Sequence, residues 1–367
     1  MRQFLRYPYE RYRGHPNWVP PLMMDQAKLF DRKRNPFFEH ADAEFFLARR
    51  GGNVVGRVCA IDNRLFDEYH GLKRGYFGFF EAAPGDEAAA HALLGAAEAW
   101  LAARGKTEIY GPENYSPNDD LGLLLDAYDR DPILMMPYNG PEYPGFVESA
   151  GYAKARDVYA WYLHKDSYAT VQRILDIAER QAARLRIGLR QLEMRNLKRE
   201  VQIIKDLYNA VEKDANGEFF CPLTDAEVDA LAAALAPIAW PELVTFAELD
   251  GRVVGFCLAV PDFNSILKKM RGRLFPTGIF HLLLGKRRLT RLRVLVVGVL
   301  AEYRGKGIDA LLYAQTWKNG IASGIVDGEF SWTLEDNARI NSGMEAIGAR
   351  VYKRYRVYRK DLTPAAA

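Results

Sequence analysis

Arg304, Gly305, Lys306 and Gly307 stand between an apolar run, Val294 to Leu300, and a segment whose apolar positions return at helical spacing, Ile308, Leu311, Leu312 and Gln315 to Trp317. A helix entered through glycines has first amides with no intrahelical acceptor and the helix dipole behind them. Glycine lets an oxyanion approach that backbone closely, so the chemistry on offer is phosphate or pyrophosphate binding. The plainer alternative is a strand-to-helix turn with two solvated basic residues. Seven apolar or glycine residues in a row predict a strand covered on both faces.

Ser331 to Tyr358 predict the elements that follow: a short strand, then Asn337 capping a helix with Ile340, Met344 and Ile347 on one face. Gly348 ends that helix before an aromatic, basic closing strand. With these residues in order, the chain resembles the GNAT acyltransferase superfamily. Its pyrophosphate motif, Gln/Arg-x-x-Gly-x-Gly/Ala, follows the fourth strand and is succeeded by a strand, an Asn and a helix ending in Gly. Arg304, Gly307, Asn337 and Gly348 match. The resemblance implies an acyl-CoA donor and no metal. It places Arg304, Gly305, Lys306, Gly307 and Ile308, with Asn337, at the CoA site. The backbone of Val297 to Leu300, Val299 included, would hold the pantetheine as an added strand would, with a main-chain amide as oxyanion donor.

Two positions depart from the pattern. Asp309 stands where Gly or Ala is expected, and Met344 where many members place the Tyr that protonates the departing thiolate. A carboxylate about 6 Å from a phosphate opposes it by about 2 to 3 kcal/mol at an effective dielectric near 20, partly offset by Arg304 and Lys306. Met344 cannot donate a proton, so another group, water or unassisted departure must serve.

The chain has 367 residues, 49% hydrophobic and 26% charged, with a net charge of +3. This is globular composition with room for two domains. Cys59, Cys221 and Cys257 show no metal or redox spacing, which fits a reducing compartment. The start shows no signal-peptide core, and no stretch reaches about 18 uncharged apolar residues, so a cytoplasmic chain, soluble or peripheral, is expected.

The pattern occurs twice. Gly52 to Gly56, GNVVG, returns as GRVVG at Gly251 to Gly255, an offset of 199; Glu148 to Tyr152 echoes Glu345 to Ala349 at 197. Two echoes in one order at nearly one offset indicate duplication. The expected fold class is α/β, with mixed α+β sheets in two tandem GNAT-like domains. Their expected limits are 1–165 for a degenerate half, 166–185 for a linking helix and 186–367 for the CoA-binding half.

The halves differ. After a strand Gly75 to Phe80, the first half offers Glu81, Pro84, Gly85, Asp86 and Glu87, which repel a pyrophosphate and remove a donor. Its segment Gly111 to Glu142 is either a lid or acceptor wall, or a covering for the core. Between the halves, Ser167 to Arg184 reads as a linking helix with Val171, Ile174, Leu175, Ile177 and Ala178 on its apolar face, and in the second half Asn196 to Ala210 reads as a helix capped by Asn196. The loop Asp214 to Pro222 precedes a capped helix, Thr224 to Leu235. By resemblance, Asn216, Glu218, Phe219 and Phe220, with Asn264, are acceptor contacts, although plain core is the simpler reading of the two phenylalanines.

Between Phe263 and Ala301 there is no acid, but there are nine basic residues: Lys268, Lys269, Arg271, Arg273, Lys286, Arg287, Arg288, Arg291 and Arg293. Apolar residues, among them Ile266, Phe275, Phe280 and Leu282 to Leu284, interleave with them. The segment 266–293 suits the headgroup region of an anionic bilayer. A membrane is preferred to nucleic acid because PTGIFHLLLG has little to hydrogen-bond bases and much to bury. The insertion brings the pattern nearest to a bacterial tandem-GNAT group that includes ceramide synthases, with N-myristoyltransferases and Fem ligases related in layout.

The resemblance therefore implies an acyl-CoA-dependent N-acyltransferase acting on a lipid amine at the inner membrane face. A base must hold the amine neutral, and Asp262, Glu302, Glu335 and Asp336 are the candidates; each can also be read as a solvated loop carboxylate or a cap, and for Asp336 beside Asn337 the cap is the simpler reading. An acetyltransferase for a small amine, an aminoacyl-tRNA-dependent ligase and a silent CoA-binding module remain alternatives.

Overall fold

The computed structural model describes residues 1–363, with side chains for all of these except 212–216 and 287. The chain divides into two compact units. The first holds Met1–Val158, Ile266–Leu283 and Lys353–Ala367; the second holds Tyr159–Ser265 and Leu284–Tyr352. This division differs from the limits 1–165, 166–185 and 186–367, which follow chain order. A strand joins the sheet that offers it hydrogen bonds, wherever it lies in sequence.

The first unit opens with helices α1 (Arg2–Arg11) and α2 (Met23–Leu29). Strand β1 (Ala41–Arg50) turns at Gly51 and Gly52, both at positive φ, into β2 (Asn53–Asn63). Helix α3 (Arg64–His70), β3 (Arg74–Ala82), α4 (Glu87–Ala102) and β4 (Glu108–Gly111) follow, then β5 (Leu123–Leu124) and α5 (Tyr143–Ser149). β3 pairs antiparallel with β2 and parallel with β4, and α4 makes the crossover. Leu93, Leu94, Ala97 and Leu101 of α4 bury against Val58, Ala60, Phe77 and Ile109 of the sheet. β6 (Ala153–His164) gives its first half to this unit and its second half to the other.

The second unit repeats the plan. After α6 (Tyr168–Leu185), β7 (Ile187–Gln191), α7 (Leu197–Asn216) and α8 (Asp225–Leu235), β8 (Val244–Leu249) turns at Gly251 into β9 (Arg252–Pro261). Helices α9 (Asn264–Met270) and α10 (Gly278–Gly285) precede β10 (Arg291–Val299), α11 (Ile308–Ala322), β11 (Asp327–Leu334), α12 (Ala338–Ala346) and β12 (Arg350–Asp361). The order β7-β8-β9-β10-β11 ends in a parallel β10–β11 pair crossed by α11. Leu311, Leu312 and Trp317 of α11 share a core with Leu292, Val294 and Phe330. From Lys353 onward, β12 belongs to the first unit, where it pairs with β4. The fold is mixed α/β, and the strand and helix plan of the first unit recurs in the second.

Several local expectations change. α7 runs to Asn216, so 214–216 are helical rather than loop. Asn196 holds the N-cap position without a side-chain capping bond, and its Nδ2 donates to Glu193 at 2.6 Å. Thr224 and Glu227 form a capping box on α8. Val171, Leu175, Ala178 and Ala182 bury on α6, but Ile177 is 61% exposed and lies outside that stripe.

Candidate active site

In the second unit, β10 and β11 pair only from Arg291–Asp327 to Val294–Phe330. On its other side β10 continues along β9 to Val299, with a register shift between Val294 and Val296. Val296 to Val299 therefore have a partner on one edge, and the edge toward β11 is open. Of the run expected to be covered on both faces, Val294 and Gly298 to Leu300 are buried, while Leu295, Val296 and Val297 are half-buried. An open edge is what an extended ligand needs in order to add as a strand.

A buried network stands where the strands part. Arg293 donates to Ser331 Oγ at 3.1 Å; Ser331 Oγ and Tyr352 Oη donate to Glu329, which is fully buried. Arg293, expected among the basic residues at a membrane surface, is instead buried here, and Glu329, Ser331 and Tyr352 were not sequence candidates, since Glu329 and Ser331 alternate in an ordinary strand pattern.

At the end of β10 the chain makes a short turn, Ala301–Tyr303, and enters α11 through two glycines. Gly305 has φ 73° and Gly307 φ 77°, conformations that strain any other residue, and a Cβ at either would meet open space. Among the described residues, the amides of Gly305, Lys306, Gly307 and Ile308 donate to no backbone carbonyl. Open glycine space over unpaired amides at a helix start fits a pyrophosphate.

The side chains around the turn are placed differently from expectation. Arg304 donates inward, to Val299 O at 3.0 Å and Val211 O at 3.2 Å, tying α7 to the turn. Lys306 donates to Glu302 O at 3.0 Å and lies over the Tyr303 ring. Asp309 does not present a bare carboxylate. It pairs with Arg339 at 2.6 Å and accepts from the Ala310 amide at 3.0 Å, so the opposition to phosphate is largely cancelled within the protein.

A cavity of about 300 Å³ opens between β10 and α12. Its wall includes Val297 and Val299, with Ile340, Met344 and Ile347 from α12. Its polar groups are Arg304, Asp309, Tyr313, Asn337 and Arg339. Asn337 caps α12, accepting from the Ile340 amide at 3.2 Å. Mostly apolar walls with polar groups at the glycine turn suit a pantetheine arm joined to a pyrophosphate. Tyr313 and Arg339 were missed in the sequence. Tyr313 falls outside the apolar positions that mark the helix in the sequence, and the partner of Arg339 lies 30 residues away.

The candidate bases scatter. None of Asp262, Glu302, Glu335 and Asp336 lines the cavity. Asp262 is buried at the end of β9 and accepts from the Asn264 amide at 3.1 Å. Glu302 is exposed and pairs with Arg252 at 3.4 Å, a solvated bridge. Glu335 is half-buried and Asp336 exposed at the turn before Asn337. Of the acceptor candidates, Phe219 and Phe220 are core, 3% and 2% exposed, which favours the simpler reading; Glu218 is exposed and Asn264 buried. The side chain of Asn216 lies outside the described residues.

The first unit has the same fork, but the chain itself fills it. β3 pairs with β4 only from Arg74 to Tyr76. Beyond, the Glu113 amide donates to Phe77 O at 2.9 Å and Asn114 Oδ1 accepts from the Phe79 amide at 2.7 Å. Those are edge groups that an added ligand would need. Glu81, expected to repel phosphate, turns into the core, where Tyr143 and Tyr12 donate to it at 2.6 and 2.9 Å. Asp86 caps α4 and pairs with Arg50. The Gly111 to Glu142 segment buries Leu121, Leu123, Leu124 and Ile133, so these residues cover the core.

The nine basic residues of the insertion also separate. Lys268 pairs with Asp131, Lys286 donates to Pro237 O, Arg291 pairs with Asp327 and Arg293 is buried, so these four have protein partners. Phe275, Phe280, Leu283 and Leu284 are 62–72% exposed. Among the described residues no helix is long and apolar enough to cross a membrane, and no acid, His and Cys cluster would hold a metal.

No family model matches the chain. A bacterial ceramide synthase from Caulobacter vibrioides is 35% identical over 99% of this chain and 95% of its own length. Protein YghO of Escherichia coli is 31% identical over 99% and 93%. A solved tandem GNAT protein from the clavulanic acid biosynthesis pathway superimposes with a TM-score of 0.57 over 99% of this chain and 95% of its own; at 14% identity this speaks for the fold alone.

Proposed function

Because the chain belongs to the bacterial ceramide synthase family of tandem-domain GNAT acyltransferases and is an acyl-CoA-dependent N-acyltransferase, we propose that its donor is a fatty acyl-CoA and its acceptor the amine of a lipid, a sphingoid base. The observation that carries the lipid reading is the exposed apolar group Phe275, Phe280, Leu283 and Leu284, in the same insertion of the sequence as the exposed Lys269 and Arg288, which serves as a peripheral anchor at the inner face of the membrane.

In this reading the second unit alone binds the donor. The amides of Gly305 to Ile308 hold the pyrophosphate, with Lys306 as a nearby cation and the Asp309 charge offset by Arg339. Val296 to Val299 offer the open β10 edge to the pantetheine, and a main-chain amide there faces the thioester oxygen. The neutral amine attacks the thioester carbon, the C–N bond forms as the C–S bond breaks, and the amine's proton passes to a carboxylate or water. Asp262 is the buried candidate for that base. Tyr313 is the phenol on the cavity wall, placed to return a proton to the thiolate where Met344 cannot.

The test is release of free thiol from palmitoyl-CoA or acetyl-CoA with sphinganine, with a short amine, and with aminoacyl-tRNA in place of the CoA donor. Turnover with palmitoyl-CoA and sphinganine is expected. Turnover confined to acetyl-CoA with the short amine, or to aminoacyl-tRNA, overturns the lipid assignment.

A further inference from the structure

A second cavity, about 480 Å³, lies in the first unit and shares no lining residue with the candidate acyl-CoA site. Its wall is Arg6, Tyr9, Glu10 and Arg13 from the N-terminal segment, Met23, and Arg271, Gly272 and Arg273 from the insertion. Positions 6, 9, 10 and 13 fall at i, i+3, i+4 and i+7, so α1 and the turn after it present them on one face.

The two segments are fastened together. The Met23 amide donates to Gly272 O at 3.0 Å, and Tyr9 Oη donates to Pro21 O at 2.7 Å. A Cβ on Gly272, at φ 77°, would stand 2.6 Å from the Tyr9 ring, so the glycine backbone packs directly on that ring. Arg271 is itself held at φ 49°, a left-handed conformation unusual for arginine. Gly272 is buried, while Arg271 and Arg273 on either side are exposed.

Glu10 is the one carboxylate among these lining residues, and among the described residues no ion pair joins it or any other acid to the exposed Arg6, Arg13, Arg271 or Arg273. Elsewhere in the same unit Arg11, Arg50, Arg74, Arg354 and Arg356 are each bound to a carboxylate. Positive charge gathered in a concavity without internal counter-ions recruits an anion, and guanidinium forks match phosphate oxygens.

The same insertion says which phosphate. A Cβ on Gly278 would stand 2.2 Å from Arg273 O, and the Ile279 amide donates to Leu274 O at 2.7 Å, so α10 begins against the arginine turn. That turn and helix carry Phe275, Phe280 and Leu283, each more than 60% exposed. A phosphate presented beside an apolar phase is that of a phospholipid.

We propose that Arg6, Arg13, Arg271 and Arg273 form a binding site for the headgroup phosphate of an anionic phospholipid. This rests on the membrane reading above, and the test separates the two. Full-length protein is sedimented with phosphatidylcholine vesicles brought to equal zeta potential with either phosphatidylglycerol or oleate. Phosphatidylglycerol vesicles are expected to bind it more tightly. Arg6→Gln/Arg13→Gln, and separately Arg271→Gln/Arg273→Gln, are expected to lower that binding by about thirtyfold at an unaltered melting temperature, the product of two basic residues near an anionic surface.

Vesicle binding that is equal for the two lipids, or unchanged in both double variants, overturns the pocket while leaving the membrane reading in place. No vesicle binding by the unaltered protein overturns both. Saturable calorimetric binding of inorganic phosphate that requires the arginines, without a preference for phosphatidylglycerol, assigns the cavity to soluble phosphates instead. Retention of RNA through the same arginines, with vesicles ignored, overturns the lipid assignment.

Discussion

Asp309 and Arg339 stand 2.6 Å apart, one from the first turn of α11 and the other from the first turn of α12. The pair explains how a chain that breaks the glycine or alanine rule of its pyrophosphate turn still offers an anion site: the offending carboxylate has its own cation.

Arg339→Gln is therefore expected to weaken CoA binding, by about fivefold. The bare opposition of about 2 to 3 kcal/mol is reduced by the half-exposed setting of the pair to about 1 kcal/mol. Asp309→Ala in the Arg339→Gln background restores affinity, because the charge left bare is removed. Calorimetry on the four proteins of this cycle decides the matter: independent effects would mean that the two residues do not act through each other.

Donor binding is expected in the second unit alone. Gly307→Glu introduces strain at φ 77° and a carboxylate over the open amides, and is expected to lower CoA affinity by more than about a hundredfold. Gly85→Glu, also at positive φ, is expected to leave CoA affinity unchanged, since Glu113 and Asn114 already occupy the edge of β3. Equal losses from both substitutions would contradict the assignment.

Much of this was legible where the determinants are local. The hairpins at Gly52 and Gly251, the Thr224 box and the Asn337 cap depend on residues within a turn of one another. The filled fork of the first unit was not legible, because Glu113 meets Phe77 through backbone groups, and every residue carries the same amide and carbonyl. The partner of Asp309 lies across a strand and a loop, and the assignment of β12 beyond Tyr352 to the first unit follows from sheet pairing at the far end of the chain. Asn196 shows the converse: the right residue stands at the N-cap position but makes no side-chain capping bond, while its Nδ2 donates to Glu193.

The phenol on the cavity wall gives a kinetic test. Met344 is 1% exposed and packs in the core, so Met344→Leu is expected to leave turnover within a few-fold. Tyr313→Phe is expected to lower turnover by about ten- to a hundredfold with CoA affinity unchanged, the range for a lost general acid. Unchanged turnover in Tyr313→Phe would assign thiolate protonation to water.

Glu113 makes the stability of the first unit depend on pH. It is 1% exposed, and burial pushes its carboxyl up to about 8. Between about pH 4.5 and 8 the folded protein keeps a proton that the unfolded chain has released. This contribution to stability is thus full below about pH 4.5 and is lost as pH rises through 8, on the order of 1.4 kcal/mol per pH unit. Glu113→Gln cannot ionise, so its melting temperature is expected to match the parent near pH 4 and exceed it near pH 9. Parallel curves for the two proteins would show that Glu113 does not titrate in that window.

The exposed apolar residues of the insertion separate an electrostatic anchor from a hydrophobic one. Attraction of Lys269 and Arg288 to anionic lipid weakens as salt shortens the Debye length, whereas apolar side chains entering the acyl boundary are insensitive to it. Phe280 and Leu284, 62% and 72% exposed, lose little by change to Ser in the free protein, because they are already in water. In the bound state each substitution forfeits roughly 1.5 to 3 kcal/mol of burial. The double Phe280→Ser/Leu284→Ser variant is therefore expected to remain folded, to bind CoA as before, and to lose by at least about a hundredfold the vesicle binding that survives at high salt, with turnover on a long-chain amine falling alongside. Salt-resistant binding that persists in this variant would place the membrane contact elsewhere on the protein.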